Sequence, residues 1–234
     1  MSLTGKLGYR AIGLGVRTPA RFEVFRQQCR TIDEIKRLAI DVVFDVGANE
    51  GWYAKHLRTL GFRGTILSFE PDPTTYARLV TMAKGDRHWR TFNCALGETA
   101  GEMDFRVIHH GNGTTLSSAL VPTDWLENLP FETIKVPVRT VAEMMVDERI
   151  GEQIFLKMDT QGFDLKVFAG AGNHSAIKLL QSEVSVHPLY EGMPHYTEAL
   201  GHYEQAGFEL LDLFVVCRDG SGAVAEYDAI MRRK

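Results

Sequence analysis

Cysteine is scarce in this chain: Cys29, Cys94 and Cys217 are the only three, far apart and odd in number. No Cys-x-x-Cys pair and no Cys/His ligand spacing occurs. That argues against a disulfide framework or a zinc site and fits buried or free thiols in a reducing compartment. Long apolar runs are also missing. None approaches the roughly 20 residues needed to span a bilayer, and no apolar run of signal-peptide length follows the basic N-terminus. The expectation is a soluble, cytoplasmic protein with no membrane span. Positive charge is not in excess either. Lys and Arg number 26 against 30 Asp and Glu, a formal net charge of −4. The overall field therefore favours neither nucleic acid nor anionic membranes, and no nucleic-acid partner is expected. Internal repeats, low-complexity tracts and the dinucleotide fingerprint Gly-x-Gly-x-x-Gly are absent.

What is present is a regular pattern in an ordinary composition. A length of 234 residues with 44% hydrophobic residues suits one compact domain with a short appendage. Residues 1–40 are read as an N-terminal helical extension. Helical spacing from Pro19 to Leu38 puts Phe22, Phe25, Cys29, Ile32, Ile35 and Leu38 inward. Capping of the sheet or packing in a homo-oligomer explains this segment better than a cover over an active-site mouth.

Residues 41–234 alternate between strands and helices. Short apolar runs rich in β-branched residues, Val42 to Val46 and Ile154 to Asp159, read as buried strands. Further strands are expected over Thr65 to Phe69, Arg90 to Cys94 and Leu179 to Val186. Helices are expected over Trp52 to Leu60, residues 73–83, Thr140 to Val146, Phe163 to Phe168 and residues 195–206. Strands over Met103 to Ile108 and Ile134 to Val138 flank a long polar loop containing Gly111 to Ser118, a length that marks function or mobility. Phe208 to Cys217 and Val224 to Met231 form a final hairpin around a Gly-Ser-Gly turn. Repeated strand–helix units with buried strands imply a doubly wound, mostly parallel sheet with a C-terminal antiparallel hairpin. Ligands bind such sheets beyond the strand carboxyl ends, and Asp45, Glu70, Asn93, Asp159 and Glu183 fall near those ends.

The turn Gly47-Ala48-Asn49-Glu50-Gly51 has Gly-x-x-x-Gly spacing. Glycine allows positive φ and close approach to the backbone. A pyrophosphate favours a turn that feeds a helix N-terminus without acids; here Asp45 precedes the turn and Glu50 lies within it. Those acids suit a ligand with a positive amino group and a neutral ribose. Glu70 lies 23 residues after Gly47, where an acid can accept hydrogen bonds from both ribose hydroxyls. Its plainer alternative is to cap the next helix with Asp72. Together these features favour adenosine without phosphates.

Several motifs occur in a telling order: Asp45 to Gly51, Ser68-Phe69-Glu70-Pro71, Ala95-Leu96-Gly97, Ser117-Ser118, Leu156 to Asp164, and Glu183 to Gly192. From about residue 42 onward the chain resembles the FkbM-type methyltransferases. The resemblance implies a class I methyltransferase (Rossmann-like) fold and transfer of a methyl group from S-adenosylmethionine to an oxygen of a sugar or small natural product. It implies that Gly47, Asn49 and Gly51 line the methionine part, that Glu70, in Glu70-Pro71, holds the ribose, and that Ala95 and Leu96 lie near the adenine. Asp45, Glu50, Asn93 and Asp159 complete the expected cofactor set. Asp164 stands where the family often has glutamate, so it is left out of the catalytic candidates.

An aliphatic hydroxyl is a poor nucleophile, and a base that removes its proton during attack would help. Asp159, Glu183 and His187 are the candidates. Asp159 alternatively caps the following helix, and Glu183, costly to bury unpaired, alternatively pairs with Lys157. His187 is otherwise a loop residue before Pro188. A divalent ion on these three would also lower a hydroxyl's pKa, but no compact ligand motif supports one, so no metal is expected. Trp125, Phe131 and Tyr190 either stack on an acceptor ring or simply pack. Two other classes stay open: a nicotinamide-dependent oxidoreductase, disfavoured by the missing fingerprint, and a non-catalytic cofactor-binding interaction protein.

Overall fold

The structure is a computed structural model that describes residues 21–108, 116–123 and 129–234. Its organising element is a seven-stranded sheet built on β1 (Val42–Val46), whose five residues are all buried. Burial on both faces is what the unbroken apolar run requires. β1 pairs in parallel with β2 (Thr65–Phe69) on one side and β7 (Ile154–Met158) on the other. The registers Val46↔Phe69 and Val46↔Met158 make the three carboxyl ends level. The residues that follow, Gly47, Glu70 and Asp159, therefore emerge side by side.

The full strand order is β3-β2-β1-β7-β8-β10-β9, with β3 at Trp89–Phe92, β8 at Ile177–Ser185, β9 at Phe208–Arg218 and β10 at Val224–Arg233. β10 runs antiparallel to both of its neighbours, so it alone opposes the sheet direction. This is the mostly parallel class I methyltransferase sheet with its C-terminal hairpin. The chain winds outward from β1 to β3 and returns to β7 on the other side, which places a switch point between β1 and β7.

Helices cover both faces. α1 (Arg21–Arg37), α2 (Trp52–Thr59) and α3 (Pro73–Ala83) pack on Val43, Ile66, Phe155 and Leu179 through Ile35, Leu57 and Leu79. α4 (Val141–Asp147), α5 (Asp164–Ala169) and α6 (Tyr196–Gln205) pack on Phe44, Leu67, Leu156 and Leu180 through Met144, Phe168 and Tyr203. Alternate strand residues supply the two cores, as the period of two demands. Ile32 and Ile35 of α1 lie in the first of these cores. The side chains of Phe22 and Phe25 lie outside the described residues.

Two expectations need correction. The strand placed over Arg90 to Cys94 ends at Phe92. The chain bends at Asn93, whose Nδ2 donates to the carbonyls of Glu70 (2.9 Å) and Pro71 (3.0 Å). The stretch from residue 101 to 140 is also more than an interruption: β5 (Gly101–Ile108) and β6 (Phe131–Arg139) join β4 (Ala95–Leu96) in a second sheet of order β4-β6-β5. That small sheet forms one wall of the cleft described next.

Candidate functional site

The turn after β1 is tied to both neighbouring strands. The N–H groups of Gly47 and Ala48 donate to the Phe69 carbonyl at 3.1 and 3.0 Å, and the Asp159 N–H donates to the Val46 carbonyl at 3.1 Å. Gly47 has φ +72°, and a Cβ there would lie 1.9 Å from the Asp159 carbonyl oxygen. Only glycine fits both constraints. Asn49 adopts φ 49°, and its N–H donates to Oε2 of Glu70 at 2.9 Å.

Glu70 is buried, and each of its carboxylate oxygens already holds one backbone N–H. Oε1 accepts from Asp72 at 2.9 Å, as Oε2 does from Asn49. Burial pushes its pKa up to about 7, despite both hydrogen bonds, which favour the ionised form. Asp72, not Glu70, caps α3, accepting from the N–H groups of Thr74 and Thr75. The carboxylate of Glu70 is thus fixed in orientation and retains lone pairs for further donors.

These residues open onto one cleft. Gly47, Asn49, Glu70, Pro71, Ala95, Leu96 and Asp159, all expected near a cofactor, line it. Met103 and Phe105 from β5, with Phe163, add apolar surface. Among the described residues, the lining contains two carboxylates, Glu70 and Asp159, and no Lys, Arg or His. Such a wall suits a cationic ligand with an apolar ring and repels a pyrophosphate.

Four residues expected at the cofactor are placed elsewhere. Gly51 does not line the cleft; a Cβ there would meet Leu79 Cδ1 at 2.7 Å and Trp89 Cζ2 at 2.9 Å, so its glycine serves packing. Glu50 pairs with Arg78 at 2.8 Å and accepts from Trp52 Nε1. Asn93 braces the turn after β2. Asp45 lies inside the sheet, fully buried, and begins a polar row across four strands. Its register neighbours are Ser68 on β2 and Lys157 on β7, and Lys157 is next to Gln181 on β8. Ser68 Oγ donates to Asp45 Oδ2 at 3.0 Å, and Lys157 Nζ lies 3.2 Å from Asp45 Oδ1.

Lys157 links this row to the cleft. Its ammonium donates to the Gly47 carbonyl at 3.3 Å and stands 3.4 Å from Asp159 Oδ2. Burial alone would lower its pKa, but the carboxylates of Asp45 and Asp159 reverse that and raise it. The expected partner Glu183 is not the one Lys157 takes. Instead, Gln161 Nε2 donates to Glu183 Oε2 at 2.6 Å and to Asp159 Oδ1 at 3.3 Å. Gln161 thus bridges two of the three candidate bases. Its backbone is left-handed, φ 53°, and its carbonyl accepts from Ser118 Oγ at 2.9 Å. Burial, then the nearby carboxylates of Asp159, Glu226 and Asp228, raises the Glu183 pKa well above the ordinary range.

His187 stands apart from this pair. It is half-exposed, lies outside the cleft, and its Nε2 is 4.0 Å from Asp219 Oδ2 in the β9–β10 turn. Asp159 does not cap α5; Asp164 accepts from the Thr160 N–H at 3.0 Å and from Ser182 Oγ at 2.6 Å. Tyr190 is fully buried against Ile108 and Met193 and packs rather than stacks. Phe131 is exposed on β6, while His109, His110, residues 111–115 and Trp125 lie outside the described residues. Among the described residues, no three His, Cys, Asp or Glu side chains gather as metal ligands would, and no helix is long and apolar enough to cross a membrane.

Sequence reasoning passed over Gln161, Thr160, Phe163, Met103 and Phe105. Gln161 lies within a motif that the sequence displays, but its bridging role depends on a left-handed backbone that no residue pattern announces. Met103 and Phe105 reach the cleft only because the second sheet folds beside it.

The chain is similar in sequence to known proteins. The family described as Methyltransferase FkbM domain matches residues 45–210. The chain is 29% identical over 198 residues to the 2-O-methyltransferase NoeI of Sinorhizobium fredii, covering 78% of each. It is 26% identical over 196 residues to the 31-O-demethyl-FK506 methyltransferase FkbM of Streptomyces tacrolimicus, covering 71% of this chain and 73% of that one. Among solved structures, precorrin-6y C5,15-methyltransferase from Geobacter metallireducens superposes with a TM-score of 0.47 at 11% identity, covering 88% of this chain and 87% of that one.

Proposed function

This chain belongs to the FkbM methyltransferase family, and from that premise we propose that its acceptor is a hydroxyl of a sugar or small natural product and that Asp159 receives the hydroxyl's proton. The chain is an S-adenosylmethionine-dependent O-methyltransferase. S-adenosylmethionine, when bound, supplies an electrophilic methyl carbon on a sulfonium, together with a ribose diol, an adenine and an ammonium. The cleft fits those groups. Glu70 accepts from the diol, Ala95, Leu96 and Phe163 receive the adenine, and the Gly47–Asn49 turn lies at the methionine end beside Asp159.

The chain's own work is mainly alignment, because the cofactor carries the difficult chemistry. Lys157 and Gln161 each hold one oxygen of Asp159, which fixes the carboxylate while leaving it 44% exposed to an incoming group. Glu183 is tethered to it through Gln161, and it is a neighbour rather than the first receiver of the proton. His187, outside the cleft, has no part in this scheme. The names of NoeI, a 2-O-methyltransferase, and FkbM, a 31-O-demethyl-FK506 methyltransferase, each specify a numbered oxygen as the acceptor, and this supports a hydroxyl as the acceptor group.

One observation carries the reading: among the described residues the cleft lining holds two carboxylates and no cationic side chain. Titration calorimetry with S-adenosylmethionine, S-adenosylhomocysteine and NAD tests it. Both adenosyl ligands are expected to bind and NAD is not; NAD binding without either of them would sink the reading.

A further inference from the structure

A second cleft adjoins the first, and Asp159 lines both. It opens on the sheet face covered by α1 and α2, over the carboxyl-terminal parts of β7 and β8 and the amino-terminal half of the antiparallel β10. Its floor is polar. Glu183 and Asp228 face each other in register across β8 and β10, and Gln181 and Lys157 continue the row. Its roof comes from α1, which the family match does not include, and from α2, which it does: Gln27 of α1 donates to Asp228 Oδ2 at 2.5 Å, and Tyr53 of α2 donates to Gln181 Oε1 at 2.7 Å. Leu57 and Leu60 on one side and Val215 and Val216 on the other give it apolar walls.

We propose that this second cleft is the acceptor site, that it takes a neutral or amine-bearing polyhydroxylated ring, and that α1 is its wall. The inference rests on the methyltransferase reading above. Three observations converge on it. The two clefts meet at Asp159, the side chain best placed to serve both a methyl donor and a hydroxyl. The lining mixes amides and carboxylates, which together match hydroxyls that both donate and accept, with aliphatic walls for the C–H faces of a ring. The oxygen Oε1 of Glu183 receives no hydrogen bond from the described residues, whereas Oε2 is held by Gln161, so one fixed carboxyl oxygen remains open to the cleft, to accept from a hydroxyl when ionised or to donate to one when protonated.

Charge sets the specificity. Asp159, Glu183 and Asp228 surround the space; among the described residues its one lysine, Lys157, is already committed to Asp45, Asp159 and the Gly47 carbonyl, and His56 is held beside Gln28. A phosphorylated or uronic ring would bring a further anion into this field, with no uncommitted lysine or arginine among the described lining residues to meet it.

Saturation-transfer NMR on the full chain with S-adenosylhomocysteine bound tests this with one ring in four charge states: methyl glucoside, methyl glucosaminide, methyl glucuronide and glucose 6-phosphate. The neutral and amine-bearing rings are expected to give signal and the two anionic rings at least fivefold less. Val216→Trp, at a 45% exposed position on the cleft wall, is expected to remove the signal while leaving S-adenosylhomocysteine affinity unchanged. Gln28→Trp, from α1 on the facing wall, is expected to do the same and guards against a folding artefact in the first variant. Equal or stronger signal from the anionic rings, signal that survives both tryptophans, or no signal from any ring would overturn the proposal. If S-adenosylhomocysteine itself failed to bind, the underlying methyltransferase reading would fall instead.

Discussion

Gly47 and Asp159 are locked so closely that a single Cβ on Gly47 would lie 1.9 Å from the Asp159 carbonyl oxygen. The contact joins the turn at the cofactor cleft to the strand end that carries the proposed base. It is reinforced by the Asp159 N–H donating to the Val46 carbonyl. Gly47→Ala therefore meets backbone rather than a flexible side chain, and must also hold φ +72°. The strained dihedral alone costs about 1–2 kcal/mol. Separation of β1 from β7 adds to that, and we expect a total loss of roughly 3 kcal/mol or more in urea unfolding. S-adenosylhomocysteine binding should weaken in parallel. A variant with unchanged midpoint and affinity would show that the strand ends are not rigidly coupled.

Glu70 is the second expectation that the geometry sharpens. Its two oxygens already hold the Asn49 and Asp72 N–H groups, so it organises the turn as well as facing the cleft. Glu70→Gln keeps the size but loses the charge and one acceptor. Each hydrogen bond to a charged group contributes about 1.5–3 kcal/mol, so S-adenosylhomocysteine affinity should fall roughly 10- to 100-fold by calorimetry. Unchanged affinity would remove Glu70 from the ribose role.

The difference between what was legible in the sequence and what was not follows a physical line. Strands such as Val42–Val46 and the acids at their ends show in the pattern because burial on two faces leaves a contiguous apolar run. The level ends of β1, β2 and β7 then make Gly47, Glu70 and Asp159 neighbours almost automatically. The direction of an individual side chain within a turn is less visible. Glu50 and Gly51 sit in the same loop as Gly47 and Asn49, yet one pairs with Arg78 and the other accommodates Leu79 and Trp89. Asp45 shows in the sequence as an acid beside the turn, but its partner Lys157 lies 112 residues away and is set by strand register. Long-range pairing of that kind leaves no local trace.

That pair yields a cycle. Lys157→Met leaves the carboxylate of Asp45 buried without its cation. Breaking a buried pair in this way costs about 3–5 kcal/mol. Asp45→Asn combined with Lys157→Met removes both charges and should recover most of the loss. Urea unfolding of the wild type, both single variants and the double variant reads the coupling directly. A double variant as unstable as the sum of the singles would mean that the two side chains do not depend on each other.

The raised carboxyl groups predict how apo-protein stability depends on pH. Burial lifts Glu70 to about 7 and Asp228 to about 6, both above their unfolded values. Between those values the folded chain binds more protons than the unfolded chain, so stability falls as pH rises. The fall begins near the unfolded carboxylate range and is complete above about pH 7. For Glu70 alone it amounts to about 3 kcal/mol. The melting temperature should therefore drop from pH 5 to pH 8, and Glu70→Gln should flatten that slope. S-adenosylhomocysteine, whose ribose favours ionised Glu70, should bind less tightly below pH 7 than above it. A melting temperature that rises steadily across the same window would contradict both effects.

The three carboxylate and imidazole candidates can be separated kinetically because the structure places them differently. Asp159 lies at the junction of the two clefts, Glu183 is linked to it only through the Gln161 amide, and His187 lies beside Asp219 outside the cofactor cleft. If Asp159 takes the proton, Asp159→Asn should lower kcat by about 10²–10⁴, with S-adenosylhomocysteine affinity within a few-fold of the wild type. Gln161→Leu should act through Asp159: it removes the clamp but not the carboxylate, so kcat should fall less and its pH profile should move. Glu183→Gln should mainly raise the acceptor KM, since its free oxygen faces the second cleft. His187→Ala should leave all three quantities nearly unchanged. Labelled-methyl transfer to an accepted ring supplies the rates. A His187→Ala variant as slow as Asp159→Asn would move the proton acceptor out of the cleft and onto the β9–β10 side of the sheet.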